Sequence, residues 1–334
     1  MNLDTTKGPI FIGGLDRCGK TLLRALLVSH PRIAIPEIGS NYWTFFYGQY
    51  GDLKQSENFE RCLRAMLRYS HVALLQPDVE QIRREFQQGE PTYARLFQLF
   101  NEQYAQREGK ARWGDQSGLI EQYAREVLAA YPGAKMIHML RDPRDRYEAS
   151  LAHAPHGKAR VGGATARWLY SVRLALRNQQ EFPARYCVVQ YERLVREPEA
   201  TLREVCAFLD EEYLPEMLAM VGAGSFREKV EQGKYGNRAG GLITTEFIGR
   251  YRNAIPKGEI AFMQSLAGRE MRTWGYAPEP ITFTAGERLT YVLGGWPLNW
   301  GRMVAWWGTT ALQQRFPAQL GRKPPVDKIR VKHA

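Results

Sequence analysis

Residues 14–21 read Gly-Leu-Asp-Arg-Cys-Gly-Lys-Thr, the spacing G-x-x-x-x-G-K-T that gathers backbone N–H groups around a phosphate. The chemistry on offer is anion binding. The glycines let successive N–H groups face one anion, and a helix begun there adds unpaired N–H groups and the positive end of its dipole. Arg17 and Lys20 contribute charge, and Thr21 contributes a hydroxyl. With ATP, Thr21 would bind Mg²⁺, and a carboxylate at the end of a second buried strand would complete the metal site. Asp142 and Glu192 are the acids nearest such ends, but the apolar run 135–140 stops first at Arg141. An arginine there predicts a second anion site on the carboxyl edge of the sheet, where ligands of such folds sit.

Presenting these groups requires parallel strands and helix N-termini, and the pattern of the chain supplies both. A short apolar run at 9–14 leads through the glycines into a helical pattern from Gly19, with Leu22, Leu23, Ala25, Leu26 and Leu27 on its apolar positions. Residues 32–35 read as a strand stopped by Pro36, and 57–108 as amphipathic helices broken near Pro77 and Pro91. A helix over 118–131 leads to the near-continuous apolar strand 135–140, a pattern of burial on both faces. Pro143 suits the first turn of the next helix, and helix 164–181, strand 186–190 and helix 198–209 follow. Such alternation predicts a three-layer α/β fold around a mostly parallel central sheet, with a phosphate-loop strand-loop-helix unit. The expected organisation is an α/β domain over 8–280, a helical cap insertion at 51–112, and an aromatic and basic extension over 281–334.

Lys and Arg number 46 against 35 Asp and Glu, a formal net charge of +11. That balance suits a multiply phosphorylated nucleotide or an acidic membrane face. Aromatics do not interleave with the basic residues as in RNA-binding patterns, so no nucleic-acid partner is expected. The four cysteines are scattered without a C-x-x-C pair, so the expectation is a reduced, cytoplasmic protein with no metal site. The first residues read as neither signal peptide nor anchor.

Four segments, in order, resemble the sulfotransferase family that uses 3′-phosphoadenosine 5′-phosphosulfate (PAPS) as donor. "PIFIGGLDRCGKTLLRALLVSHP" (9–31) is similar to its 5′-phosphosulfate loop, and "KMIHMLRDPRDRYEASL" (135–151) to its 3′-phosphate segment. "RYCVVQYERLVREPEATLREVCAFL" (185–209), "FIGRYRNAI" (247–255) and "WGY" (274–276) resemble its later elements. The resemblance implies that Arg17, Cys18, Gly19, Lys20, Thr21 and Leu22 wrap the phosphosulfate. It implies Arg141 and Ser150 on the 3′-phosphate and Arg250 closing over the nucleotide. The implied reaction is metal-free, in-line sulfuryl transfer to a hydroxyl or amine of a small-molecule, carbohydrate or lipid acceptor, with Arg17 and Lys20 stabilising developing charge. An ATP/Mg²⁺-dependent small-molecule kinase and a catalytically weakened nucleotide-binding protein of the same fold are the competing readings.

The chain departs from the family pattern at named places. Cys18 and Lys20 stand where serine and threonine are usual, and Gln116 stands where a lysine is usual, so Lys20 is expected to supply the missing charge. Ala149 occupies the usual serine position, one residue before Ser150. Glu37 is the expected general base, with Asp115 as second choice or a helix cap. His30 and His138 are expected to be structural, as is Trp168 beside Arg167. The aromatic run 41–50 is expected either to line an acceptor pocket or to pack the cap. From Leu289 to Gln314 the one charged residue is Arg302, and a basic end follows. That tail is expected to touch a membrane surface peripherally, or to pack on the domain or on a second subunit as a homodimer; glycines and Pro297 argue against a spanning helix.

Overall fold

The computed structural model describes residues 7–152, 160–234 and 240–325, the side chains of 317 and 318 aside. Five strands form its sheet: β1 (Ile10–Gly13), β2 (Ile33–Ala34), β3 (Arg112–Gln116), β4 (Lys135–Leu140) and β5 (Tyr186–Gln190). Their order is β2-β3-β1-β4-β5 and every pairing is parallel. The three-layer α/β expectation holds. The chain leaves β1 toward β2 and β3 on one side, then crosses to β4 and β5 on the other. The connections therefore diverge beside β1, and a crevice opens at the carboxyl ends of β1 and β4.

β1 and β4 are strands because almost every residue is apolar and buried on both faces. β3 falls between the cap insertion expected to end at 112 and the helix expected from 118, where no strand is expected. Its sequence, Arg-Trp-Gly-Asp-Gln, lacks an apolar run, yet all five residues are buried. Fixed partners make that tolerable: Arg112 donates to the carbonyls of Gly8 at 2.7 Å and Leu209 at 2.6 Å and pairs with Glu211 at 3.1 Å. Gly114 is required because a Cβ there would lie 2.4 Å from the Ile10 carbonyl oxygen. The helix expected over 118–131 is a 3₁₀ turn, Ile120–Tyr123, followed by Ala124–Ala130; Leu119, at φ 61°, breaks the path before it.

On one face, helices Ser56–Arg68, Val79–Gln87 and Tyr93–Arg107 cover the sheet. Asp78 and Thr92 cap the latter two by accepting the N–H groups of Gln81 and Arg95. Phe59, Phe86, Phe97 and Phe100 pack there with Phe11 and Trp113, as do Tyr42, Trp43 and Phe46 from the aromatic run. Those three are core; Tyr47, Gly48 and Gln49 instead line a side cavity of about 320 Å³ with residues of the tail.

On the other face, helix α1 (Lys20–Leu27) and helices Val161–Glu181 and Lys257–Thr273 pack around Leu23, Leu26, Val172, Leu202 and Met271. The tail forms helix Ala285–Thr290, a π turn at Tyr291–Gly295 and helix Trp296–Arg315. The last packs on Val161–Glu181. Gly162 permits the approach, since a Cβ would meet the Asn299 carbonyl oxygen at 2.0 Å, and Tyr170 meets the rings of Trp306 and Trp307 at 5.7 and 5.8 Å. Leu289, Leu293, Trp300, Val304 and Leu312 face outward. Among the described residues no helix is long and apolar enough to cross a membrane.

Candidate active site

The loop after β1 takes the backbone path that its glycines anticipate. Gly14, Arg17 and Gly19 have φ of 102°, 69° and 92°, a region costly to side-chain-bearing residues. A Cβ on Gly14 would lie 2.2 Å from the Met139 carbonyl oxygen, and one on Gly19 would lie 2.6 Å from the Tyr191 ring. α1 starts immediately after, at Lys20, so its free N–H groups point into the crevice region.

A buried polar chain fixes the root of this loop. The Gly14 N–H donates to Glu121 Oε2 at 3.0 Å, and Glu121 is fully buried. The Ser171 hydroxyl donates to Glu121 Oε1 at 2.9 Å and lies 3.1 Å from His138 Nε2, while His138 Nδ1 lies 2.7 Å from the Tyr186 hydroxyl. Because the one Ser171 hydrogen goes to Glu121, His138 must donate from Nε2 and accept from Tyr186 at Nδ1. Burial pushes the His138 pKa down, consistent with this neutral ring. His138 is structural, as expected.

Arg141 follows β4 directly. Its Nη1 donates to the Arg17 carbonyl at 3.0 Å and its Nη2 to the Phe247 carbonyl at 2.7 Å, and the guanidinium lies over the Tyr191 ring at 4.5 Å. Its Nε is buried without a hydrogen-bond partner among the described residues. Trp168, fully buried, donates to the Arg141 carbonyl at 2.9 Å. Asp142 caps helix Pro143–Leu151 and offers its N–H to Glu192, whose other oxygen takes the Tyr276 hydroxyl, both at 2.9 Å. The two acids considered for a metal thus accept internal hydrogen bonds. Asp145 accepts the N–H groups of Gly249 at 2.6 Å and Tyr251 at 3.1 Å, which brings Arg250 to the cleft, 3.5 Å from Glu148.

One cleft of about 1040 Å³ gathers Arg17, Gly19, Lys20, Thr21 and Leu22 from the loop with Arg141, Ser150 and Arg250. Cys18 lies beneath it, 1% exposed, with burial pushing its thiol up to about 11. Lys20 Nζ donates to the carbonyls of Gly14 at 2.7 Å and Leu15 at 3.0 Å and lies 3.8 Å from Asp16. Gly118 is its neighbour, with a Cβ position 3.8 Å from that Nζ, so the ammonium stands beside the turn of the departing Gln116. The Gln116 amide donates to the Glu37 carbonyl at 2.5 Å. Ser150 Oγ donates to the Tyr147 carbonyl at 2.7 Å.

Glu37 and Asp115 lie elsewhere. The Glu37 carboxylate pairs with Lys229 and accepts from Ser225 at 2.7 Å. Asp115 is fully buried and accepts from the Ser40 N–H at 3.1 Å and the Ser117 hydroxyl at 2.6 Å. The acids that line the cleft are Asp16 and Glu148. Sequence reading passed over Asp16, at a place in the loop where the motif specifies no residue type, and Arg146, hidden in the arginine-rich helix start. Glu121 carries no sequence signal apart from being an acid in an otherwise apolar turn.

Nine arginines and lysines line the cleft against those two acids. Glycines close-packed against Met139 and Tyr191, and a buried Arg141 Nε without a partner, make a cradle suited to a multiply charged phosphate ester. Fold and cleft together set a phosphate-loop strand-loop-helix unit and a strand-end arginine on one edge of an α/β sheet. The model of the sulfotransferase family matches residues 9–215, and the chain belongs to that family and is a transferase. Among solved structures it is similar to the sulfotransferase domain of the Synechococcus PCC 7002 olefin synthase: 22% identity, TM-score 0.50, 80% of this chain and 98% of that one covered. It is also similar to sulfotransferase STF9 from Mycobacterium avium, with 15% identity, TM-score 0.46, and 82% and 79% covered. A further similar structure is mouse sulfotransferase SULT7A1 complexed with PAP, with 13% identity, TM-score 0.42, and 82% and 88% covered. No curated protein matches the chain.

Proposed function

We propose that this enzyme transfers a sulfuryl group from PAPS to a hydroxyl or amine of a small-molecule or lipid acceptor. The observation that carries the reading is the joining of two cationic sites in one cleft. The loop residues Arg17, Lys20 and Thr21 face the same space as Arg141, which hydrogen-bonds back to the Arg17 carbonyl. A 3′-phosphate distinguishes PAPS from ATP, and a strand-end arginine with an unpartnered Nε suits it.

In this reading Arg17, Lys20, Thr21 and the first N–H groups of α1 hold the 5′ end, while Arg141, Ser150 and Arg250 hold the 3′ end. When bound, the donor supplies a sulfuryl group whose S–O bond to the 5′-phosphate breaks as the acceptor oxygen or nitrogen bonds to sulfur. Lys20, held at the loop by the Gly14 and Leu15 carbonyls, would offset the negative charge that develops on the leaving phosphate, the role that Gln116 cannot fill. Such preorganised charge is the main source of stabilisation in a transfer of this kind. The acceptor proton goes to a carboxylate at the cleft. Asp16 takes that role here because its side chain lines the cleft next to Lys20, whereas Glu37 must first leave Lys229.

Thermal-shift titration tests the assignment. PAP should raise the melting temperature without metal and more than ATP with Mg²⁺, and labelled PAPS should transfer sulfate in an acceptor screen. A larger shift with ATP·Mg²⁺ would support a kinase. Binding of PAP without turnover of any acceptor would support a weakened binding protein.

A further inference from the structure

The donor assignment leaves a group of arginines in the cleft unassigned, of which Arg302 donates to Asn299 Oδ1 at 3.0 Å. Arg146, Arg160, Arg167 and Arg302 line the same cavity, and among the described residues none of the four forms an ion pair. Arg146 is 3% exposed; its Nε donates to the Asp16 carbonyl at 3.1 Å, and its two terminal nitrogens have no hydrogen-bond partner among the described residues. Arg160, Gly163, Ala164 and Arg167 fall at i, i+3, i+4 and i+7, so one face of a 21-residue helix turns toward the space. That helix begins at Val161, and its N-cap residue, Arg160, makes no side-chain cap hydrogen bond. Arg302 comes from the tail helix, together with Ala305 and Trp306. The acids nearby have other contacts: Glu148 lies 3.5 Å from Arg250 and Asp16 3.8 Å from Lys20, while Glu259 accepts from the Tyr147 hydroxyl at 3.1 Å and feels the charges of Arg302 and Arg160 without an ion pair to either.

We propose that Arg146, Arg160, Arg167 and Arg302 form an oxyanion subsite for the acceptor, so that the acceptor carries a phosphate or similar compact oxyanion besides the group sulfated. The inference rests on the donor reading, which assigns the remaining cations to the nucleotide. Trp306 and Ala305 beside Arg302 give the subsite an apolar flank, so the oxyanion belongs either to a soluble phosphate ester or to an amphiphile.

The test uses the full chain saturated with PAP and calorimetric titration with decyl phosphate, decanol and inorganic phosphate. Decyl phosphate should bind at least about tenfold more tightly than decanol, the scale of a charge-assisted contact. Arg167→Gln and Arg302→Gln are the variants of choice because neither residue is in the hydrophobic core. Each should lower decyl phosphate affinity by about five- to tenfold and leave PAP affinity unchanged. If inorganic phosphate competes equally well, the subsite serves soluble phosphate esters; if it does not compete, it serves an amphiphile. Both results support the subsite.

Three results overturn the proposal: equal binding of decyl phosphate and decanol, phosphate binding that survives both substitutions, and a parallel loss of PAP affinity. The second would put the anion in the vacated sulfuryl position, and the third would return the arginines to the donor. Should PAP itself fail to bind, the donor reading fails, and Arg167-dependent binding of decyl phosphate to the free protein then tests the subsite alone.

Discussion

The guanidinium of Arg141 donates to the main-chain carbonyl of Arg17 at 3.0 Å. The residue that follows β4 is thereby tied to the middle of the loop that follows β1, and neighbouring parallel strands hold these two cationic groups in fixed relation. Anything that deforms the loop should disturb both.

Gly19→Ala is the sharpest local test of that loop. A methyl there would enter the left-handed region at φ 92° and lie 2.6 Å from the Tyr191 ring, beneath which Arg141 is stacked. The strain is about 1–3 kcal/mol, so thermal unfolding should shift down by several degrees. PAP affinity should fall by more than tenfold, read by calorimetry.

The buried chain from Gly14 to Tyr186 predicts a pH dependence of stability. The His138 pKa is lowered by burial, so the unfolded chain binds its proton more readily than the native state. This contribution to stability is present above the ordinary histidine value, about 6.5, and is lost as pH falls toward the lowered native value. Urea unfolding should therefore weaken from pH 7 to pH 5, with a shallower slope for His138→Gln. Glu121→Gln should cost about 1–3 kcal/mol, because its amide cannot accept from both Gly14 and Ser171.

Carboxylate substitutions separate the candidate bases. Asp16→Asn should lower kcat by about 10²-fold with PAP affinity little changed, while Glu37→Gln and Asp115→Asn should act mainly on stability. The Lys20 ammonium holds the Asp16 carboxyl below its ordinary range, so the acid limb of the rate profile should lie below that range. A loss of kcat in Glu37→Gln with Asp16→Asn unaffected would return the role to Glu37.

Lys20→Met should cost turnover far more than nucleotide binding: about 10²–10³-fold in kcat against about tenfold or less in PAP affinity. Equal losses in both would make Lys20 a binding group alone.

These residues were unequally legible in the chain. β1, β4 and the loop glycines announce themselves, because doubly buried strands must be apolar and a left-handed path selects glycine; β5, half-buried at the sheet edge, is legible from its apolar run. β3 was hidden because its burial is paid in hydrogen bonds and an ion pair, which leave no apolar run. The cleft cations Arg17, Lys20, Arg141 and Arg250 follow from motif positions. Arg146, Arg167 and Arg302 come together through the packing of three helices distant in sequence, and no local pattern encodes that meeting. The tail aromatics divide in the same way: Trp306 and Trp307 turn inward on Tyr170 while Trp300 stays outside.

Calorimetric binding of PAP and of adenosine 5′-monophosphate to the native enzyme and to Arg141→Gln, without metal, isolates the contact with the 3′-phosphate. The native enzyme should prefer PAP by about 10²-fold, and the variant should lose most of that preference while binding the monophosphate nearly as before. An Arg141→Gln protein that remains folded and keeps the full preference for PAP would contradict the account.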